Sequence, residues 1–202
     1  MPEKSIPKAF LNWAFHERKE LIRRMLEGKV SREELFLGFL RHTPAVVTCG
    51  SAGVNASVKG VGFLHKQERL PDTLRKLREF MLQERKPEEA LKFLLEHIYV
   101  EEKIDFSKLT SIELAKRHTW TNIQEKPEAT LIFYYPPTVS FEVRCDVEVH
   151  LSGDVHEFVH RIHDLYHGGR PRQEAWKDRP VYVFRIREIY DNSPSKMGER
   201  IY

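Results

Sequence analysis

The chain has 202 residues, of which 41% are hydrophobic and 31% charged, with a formal net charge of +3. That length suits one domain, residues 1–202, with enough apolar material for a core, and no apolar run is long enough to cross a bilayer. Lys and Arg alternate with Asp and Glu along the whole chain, so no positive tract can follow a nucleic-acid backbone, and neither nucleic acid nor membrane is expected as a partner. The first residues lack the order of a secretory signal, which makes the cytoplasm the expected location. Residues 7–27 place Phe10, Leu11, Ala14, Phe15, Ile22, Met25 and Leu26 mostly at helical spacing, with Gly28 as the stop. A second helix starts at Ser31, which can form a capping box with Glu34, and is expected to bury Leu35, Phe36, Phe39 and Leu40. These helices make up an N-terminal appendage, residues 1–43.

"AVVTCGSAGVNASVKGVGFL" then reads as a hairpin: β-branched residues, a glycine turn, and one long strand from Val54 to Leu64. Residues 71–100 form a two-helix insertion, with Leu74, Leu77, Phe80 and Met81 in one helix and Ala90, Leu91, Leu94, Leu95 and Ile98 in the next. Pro87 opens the second. Strands return in "KIDF", "ATLIFYY" and "SFEVRCDVEVHL", then in "RPVYVFRIREIYD" after a helix over 154–167 that Asp154 and Glu157 cap and Gly168 ends. About six antiparallel strands with helices around them predict an α+β protein on a small barrel. Cys49 and Cys145 are too few for a disulfide framework and are expected to pack as small apolar residues.

The stretch "RHTWTNIQEKP" holds the densest candidate chemistry. Thr119 is a good N-cap residue, and Pro127 disfavours helix at Lys126, so a short helix is expected from Trp120 to about Glu125. Its free N–H groups and positive dipole end, with Arg117 beside them, suit a phosphate; a plain cap with Arg117 in solvent is the simpler alternative. Trp120 serves equally as a ring wall or as a core anchor.

Val46, Val47 and Thr48, then Gly53, Asn55, Ala56, Ser57, Gly60 and Val61, then Thr119 and Asn122 ahead of an alternating strand, together resemble the FMN-binding split-barrel superfamily. That superfamily includes pyridoxamine-phosphate-oxidase-like and flavin-reductase-like proteins. The resemblance covers roughly residues 44–64 and 103–190; the insertion at 71–100 is additional to it. It implies a split barrel of Greek-key type. It places Arg117, Thr119 and Asn122 near the flavin phosphate and Asn55, Ala56 and Ser57 along the isoalloxazine edge. It further implies a flavin-dependent oxidoreductase, with a nicotinamide nucleotide or an amine as hydride donor, and a homodimer with flavin sites at the subunit boundary. A non-enzymatic module holding FMN, deazaflavin, haem or metal on the same barrel is the alternative, and a barrel with an empty site used for interaction is a third.

A second constellation lies in "SGDVHEFVHRIHDLYHGG". His156, His160, His163 and His167 form one stripe beside an apolar face of Phe158, Val159, Ile162, Leu165 and Tyr166. Such a stripe can share a transition metal, with Asp164 to orient a ligand, or it can form a boundary surface. Residues 170–180 read as a charged loop between prolines, either a solvated connection or a lid. The apolar faces around Phe10, Trp13 and Phe15, and around Phe80, Phe93 and Ile98, exceed what one small barrel needs, and this surplus is the expected dimer surface.

Overall fold

In a computed structural model, residues 5–84, 86–167 and 172–202 are described. The first helix runs from α1 (Lys8–Leu11) through a π-helical turn (Asn12–His16) into α2 (Glu17–Leu26), and α3 (Arg32–Leu40) follows. Strands β1 (Ala45–Gly50), β2 (Gly53–Val58) and β3 (Gly62–His65) precede α4 (Leu70–Met81) and α5 (Pro87–Phe93), which continues into a second π-helical turn (Leu94–Ile98). Then come β4 (Ile104–Ile112), α6 (His118–Glu125), β5 (Glu128–Tyr135), β6 (Val139–His150), α7 (Asp154–Tyr166), α8 (Gln173–Trp176), β7 (Val181–Asp191) and β8 (Glu199–Arg200).

The eight strands form one antiparallel sheet in the order β2-β1-β5-β6-β7-β4-β3, with β8 on β7. Its two end strands are consecutive in the chain. Three residues join Val58 to Gly62, so the ends of the sheet lie within about 14 Å of each other and the sheet curls into a barrel left open along one seam. Lys59 N donates to Pro44 O and Val61 N to His42 O, which ties that link down. The expected split barrel is therefore present, but the single strand over Val54–Leu64 is two strands, β2 on β1 and β3 on β4. The break falls at Lys59–Val61, where the chain passes from one edge to the other.

Two cores form on opposite faces of the sheet. Inside the barrel, α1 and its π-turn insert Phe10 and Trp13 between Phe133 and Phe141, with ring centroids 5.4–5.8 Å apart in edge-on and tilted pairs. The wider π-turn sends Trp13 to this core and Phe15 to the other. The outer core gathers Phe15, Leu74, Leu77, Phe93, Leu94, Phe158 and Leu165 against the far face of β3, β4 and β7. Phe10, Trp13, Phe15, Phe93 and Ile98 are thus buried within one chain. They are not the surplus surface the sequence suggested: the barrel mouth and the outer face of the sheet take them up.

The surplus lies on α3 instead. Ser31 and Glu34 form the expected capping box, yet Leu35, Phe36 and Phe39 are exposed and Leu40 is half-buried. Only Gly38 of this helix is buried, because α3 rests edge-on against Leu21 of α2. Cys145 is buried in the barrel while Cys49 is exposed, so only one cysteine packs as expected.

Helix α7 closes the outer core, and Glu157 in its first turn joins it to α4. Glu157 accepts from Arg78 Nη2 at 2.6 Å and from Arg161 Nε at 2.6 Å. It is not a capping-box partner for Asp154: the N-cap is Gly153, with no side-chain cap. Gly168, expected to end the helix, lies outside the described residues. Hydrogen bonds from Arg78 and then Arg161 outweigh the cost of partial burial and hold the Glu157 carboxyl at about 2, against an ordinary 4.5. A depressed folded value means that the clamp contributes fully above about pH 4.5 and is lost as pH falls toward about 2. Glu157→Gln is expected to flatten the loss of stability across that acid window in urea unfolding. An unchanged acid slope would show that the clamp is not coupled to folding.

Candidate functional site

The end of β4 leads into α6 through a loop held by one buried carboxylate. Glu113, 3% exposed, accepts from Lys59 Nζ and Tyr182 OH, each at 3.0 Å, and from the backbone N–H of Ala115 at 2.9 Å and of Lys116 at 3.0 Å. Burial alone would raise its pKa, but the Ala115 N–H and the Lys59 ammonium outweigh it and hold the carboxyl below its ordinary range. The loop so fixed places Lys116 at φ +46°, a left-handed conformation that costs a non-glycine residue unless its surroundings enforce it. Glu113 was not singled out in the sequence, where a lone Glu after an apolar strand carries no motif.

Helix α6 then starts at His118, two residues earlier than Thr119 as an N-cap would allow. The N-cap residue is Arg117, no side chain caps the helix, and its first turn holds no acidic residue. Thr119 is not the cap because its hydroxyl is used sideways. Asn55 Nδ2 donates to Thr119 Oγ1 at 2.8 Å, and Ser57 Oγ lies 3.0 Å from the same atom. The first N–H groups of α6 are left without intrahelical partners, as at any helix start. Arg117 is exposed, and its side chain has no partner among the described residues. Lys116 Nζ lies 5.7 Å from the centre of the half-buried Trp120 ring, which packs against the barrel core as an anchor.

Asn122, fully buried, fastens α6 to the β1–β2 hairpin. Its Nδ2 donates to Gly53 O at 2.8 Å and to Thr48 Oγ1 at 3.2 Å, and its Oδ1 accepts from Ala52 N at 3.1 Å. Glu125 accepts from Ser51 N at 2.7 Å and also bonds the Ser51 hydroxyl. The two chains approach so closely that a Cβ on Gly50 would sit 3.0 Å from Asn122 Cα. Strand alternation divides the expected ring-edge residues: Asn55 and Ser57 turn toward α6, while Ala56 lies on the opposite face with the exposed Val54 and Val58. Asn55 and Ser57 therefore meet Thr119, with Arg117 at the start of the same helix, Asn122 one turn further along it, and Ala56 in the apolar strip on the other face of β2.

The histidine stripe is divided. His156 Nε2 and His160 Nε2 both bond to Arg179 O, at 3.1 and 2.9 Å, and His160 stacks on Trp176. Burial, foremost, depresses the His160 pKa to about 4, so its ring serves as a neutral donor to that carbonyl. His163 pairs with Asp164 at 3.3 Å, and its ring lies 4.5 Å from that of His167. Asp164 is committed elsewhere, accepting from Arg172 N at 2.8 Å and Trp176 Nε1 at 3.0 Å. Among the described residues no three His, Cys, Asp or Glu side chains converge as a metal ion requires. His156 and His160 fix the described part of the 170–180 segment through Arg179. That segment is no plain solvated loop, since Gln173–Trp176 is helical and Trp176 is buried.

Asn122→Ala leaves the Ala52 N–H and the Gly53 carbonyl without their partners, and is expected to cost about 1–3 kcal/mol. Thr121→Ala, on the exposed side of the same helix, is expected to stay within about 0.5 kcal/mol. Urea midpoints of the two variants check this; equal midpoints would show that the amide does not hold the hairpin.

No family model matches the chain, and no curated protein matches it in sequence. Solved structures do. HupZ of Group A Streptococcus is similar at a TM-score of 0.50 and 12% identity, over 86% of this chain and 99% of that one. A pyridoxamine 5'-phosphate oxidase-related, FMN-binding protein from Nostoc punctiforme is similar at 0.45 and 12%, over 98% of each chain. A putative pyridoxamine 5'-phosphate oxidase from Lactobacillus delbrueckii is similar at 0.45 and 16%, over 80% of this chain and 93% of that one. The barrel topology and the likeness in fold to HupZ agree with the small barrel expected from the sequence. No helix among the described residues is long and apolar enough to cross a membrane.

Proposed function

We propose that the protein binds FMN and works as a flavin-dependent oxidoreductase of the flavin-reductase or pyridoxamine-phosphate-oxidase-like type. The observation that carries this reading is the uncapped start of α6, free of acidic residues and flanked by the unpartnered Arg117. A phosphate dianion needs that donor set: open backbone N–H groups, the positive end of a helix dipole and a guanidinium. The one carboxylate close by in the chain, Glu113, is already matched by Lys59 and two backbone N–H groups, so it does not oppose an anion there.

In this reading Arg117 and the first N–H groups of α6 hold the phosphate, while Thr119, Asn55 and Ser57 act as struts that fix α6 against β2. Asn122 sets the hairpin that carries them. The apolar strip of Val54, Ala56 and Val58, on the other face of the same strand, is exposed in one chain. A second copy covering that strip would put a subunit boundary at the strand that carries the site, which supports a homodimer. The flavin would supply hydride chemistry with a nicotinamide nucleotide or an amine, and the protein would supply position and electrostatics.

Arg117→Ala is expected to weaken FMN binding about tenfold, the loss of one exposed charge-assisted hydrogen bond, with no change in urea midpoint. Thr119→Ala should weaken binding and lower the midpoint together, because the strut is lost. Flavin fluorescence titration reads both, and unchanged affinity in the two variants would sink the placement. Oxidation of NADH or NADPH by the FMN-loaded protein separates an enzyme from a binding module; a haem spectrum on the purified protein would replace the flavin reading altogether.

A further inference from the structure

The carboxylate of Glu113 divides its four donors between its two oxygens. Oε2 accepts from Lys59 Nζ and Tyr182 OH, each at 3.0 Å; Oε1 accepts from the backbone N–H groups of Ala115 at 2.9 Å and Lys116 at 3.0 Å. The Glu113 N–H itself donates to Pro180 O at 2.8 Å. One oxygen is therefore fixed to the barrel, at its seam and on β7, and the other takes hold of the chain as it leaves for α6. An amide could not serve both sides, because it has one acceptor oxygen and a carboxylate has two.

Stability alone gives little reason for this arrangement. The Lys59 and Glu113 side chains are 12% and 3% exposed, and a buried ion pair adds little over apolar side chains of the same shape. Packing does not force the turn either. Leu114, Ala115 and Lys116 are exposed, so water could satisfy the same N–H groups. Lys116 is nevertheless kept at φ +46°, directly before Arg117, the N-cap of α6. What Glu113 fixes is the direction in which Arg117 and the first N–H groups of α6 leave the barrel.

We propose that Glu113 is the positioning residue of the candidate cofactor site: by setting the turn at Lys116 it makes the site select a flavin that ends in a phosphate monoester over the same ring system without one. The proposal rests on the FMN reading above. Glu113 touches no part of the ligand. It acts through Arg117 and the α6 N–H groups, which must converge on the phosphate oxygens within hydrogen-bond reach. A turn displaced by about 1 Å loses the phosphate and leaves the contacts of the ring as they were. The acceptor at Oε1 is what the site needs; the charge is dispensable once Lys59 is removed with it.

Two double variants separate acceptor from charge. Lys59→Met with Glu113→Gln removes both charges and keeps Oε1 for the Ala115 and Lys116 N–H groups, with the amide N–H turned to Tyr182 OH. Its affinity for FMN should stay within about threefold of wild type. Lys59→Met with Glu113→Ala removes the acceptor too. It should keep the fold by circular dichroism, bind FMN about tenfold or more weakly and bind riboflavin unchanged, both read by fluorescence titration. Equal FMN affinities in the two double variants, or FMN and riboflavin weakened together in step with the urea midpoint, would overturn the proposal. Trypsin keeps it apart from the cofactor reading: the Glu113→Ala pair should be cut at Lys116 and Arg117 faster than wild type, and the Glu113→Gln pair should not. A wild type that takes neither flavin removes the cofactor reading and the selectivity built on it. The trypsin pattern then still shows Glu113 setting the turn, and equal cutting of all three proteins removes that as well.

Discussion

The arrangement of the candidate site depends on one buried amide. Asn122 reaches from α6 to the carbonyl of Gly53, the hydroxyl of Thr48 and the N–H of Ala52, and so fixes helix and hairpin as one body. A buried amide is costly unless each of its groups is matched, and here the hairpin backbone matches them. That is also why a glycine stands at position 50: any side chain there would push against the Asn122 backbone and separate the two elements. With the helix pinned at its middle by Asn122 and near its start by Thr119, its first turn is left open toward solvent beside Arg117.

The helices around the barrel serve the same end from further away. A curled sheet with an open mouth needs a plug, and Phe10 and Trp13 provide it by edge-on packing against Phe133 and Phe141. On the other face, α4, the α5 turn and α7 cover β3, β4 and β7. His65 shows how tightly that cover is joined: its two ring nitrogens bond Thr73 of α4 and Ile98 O, and burial, above all, depresses its pKa to about 4. The insertion is thus locked to the strand beneath it by a neutral imidazole.

Much of the fold was legible because its signals are local. Alternation in β5, β6 and β7, the Ser31–Glu34 capping box and the proline opening α5 each rest on neighbours in sequence. The gathering of Asn55, Ser57, Thr119 and Asn122 was anticipated through motif resemblance, although not the division of labour among them. What failed depended on distant partners. Thr119 reads as a cap until Asn55 and Ser57 claim its hydroxyl. Val54–Leu64 reads as one strand until the sheet must close, and its second half pairs with β4. The apolar surplus was placed on the first helix and the insertion, because sequence pattern shows which residues seek cover and not which of them find it within the chain.

Strand β7 carries a consequence for how the protein comes apart. Val181 and Val183 face the outer core, while Tyr182 and Phe184 face the barrel interior, and all four are essentially inaccessible. The two cores therefore share a wall one residue thick. Loosening on either side shifts the backbone that registers the other, so the barrel and its helical cover should melt in a single cooperative transition rather than peel away in turn. Damage far from α6, such as a lost side chain beneath the insertion, would then reach the site through the common strand.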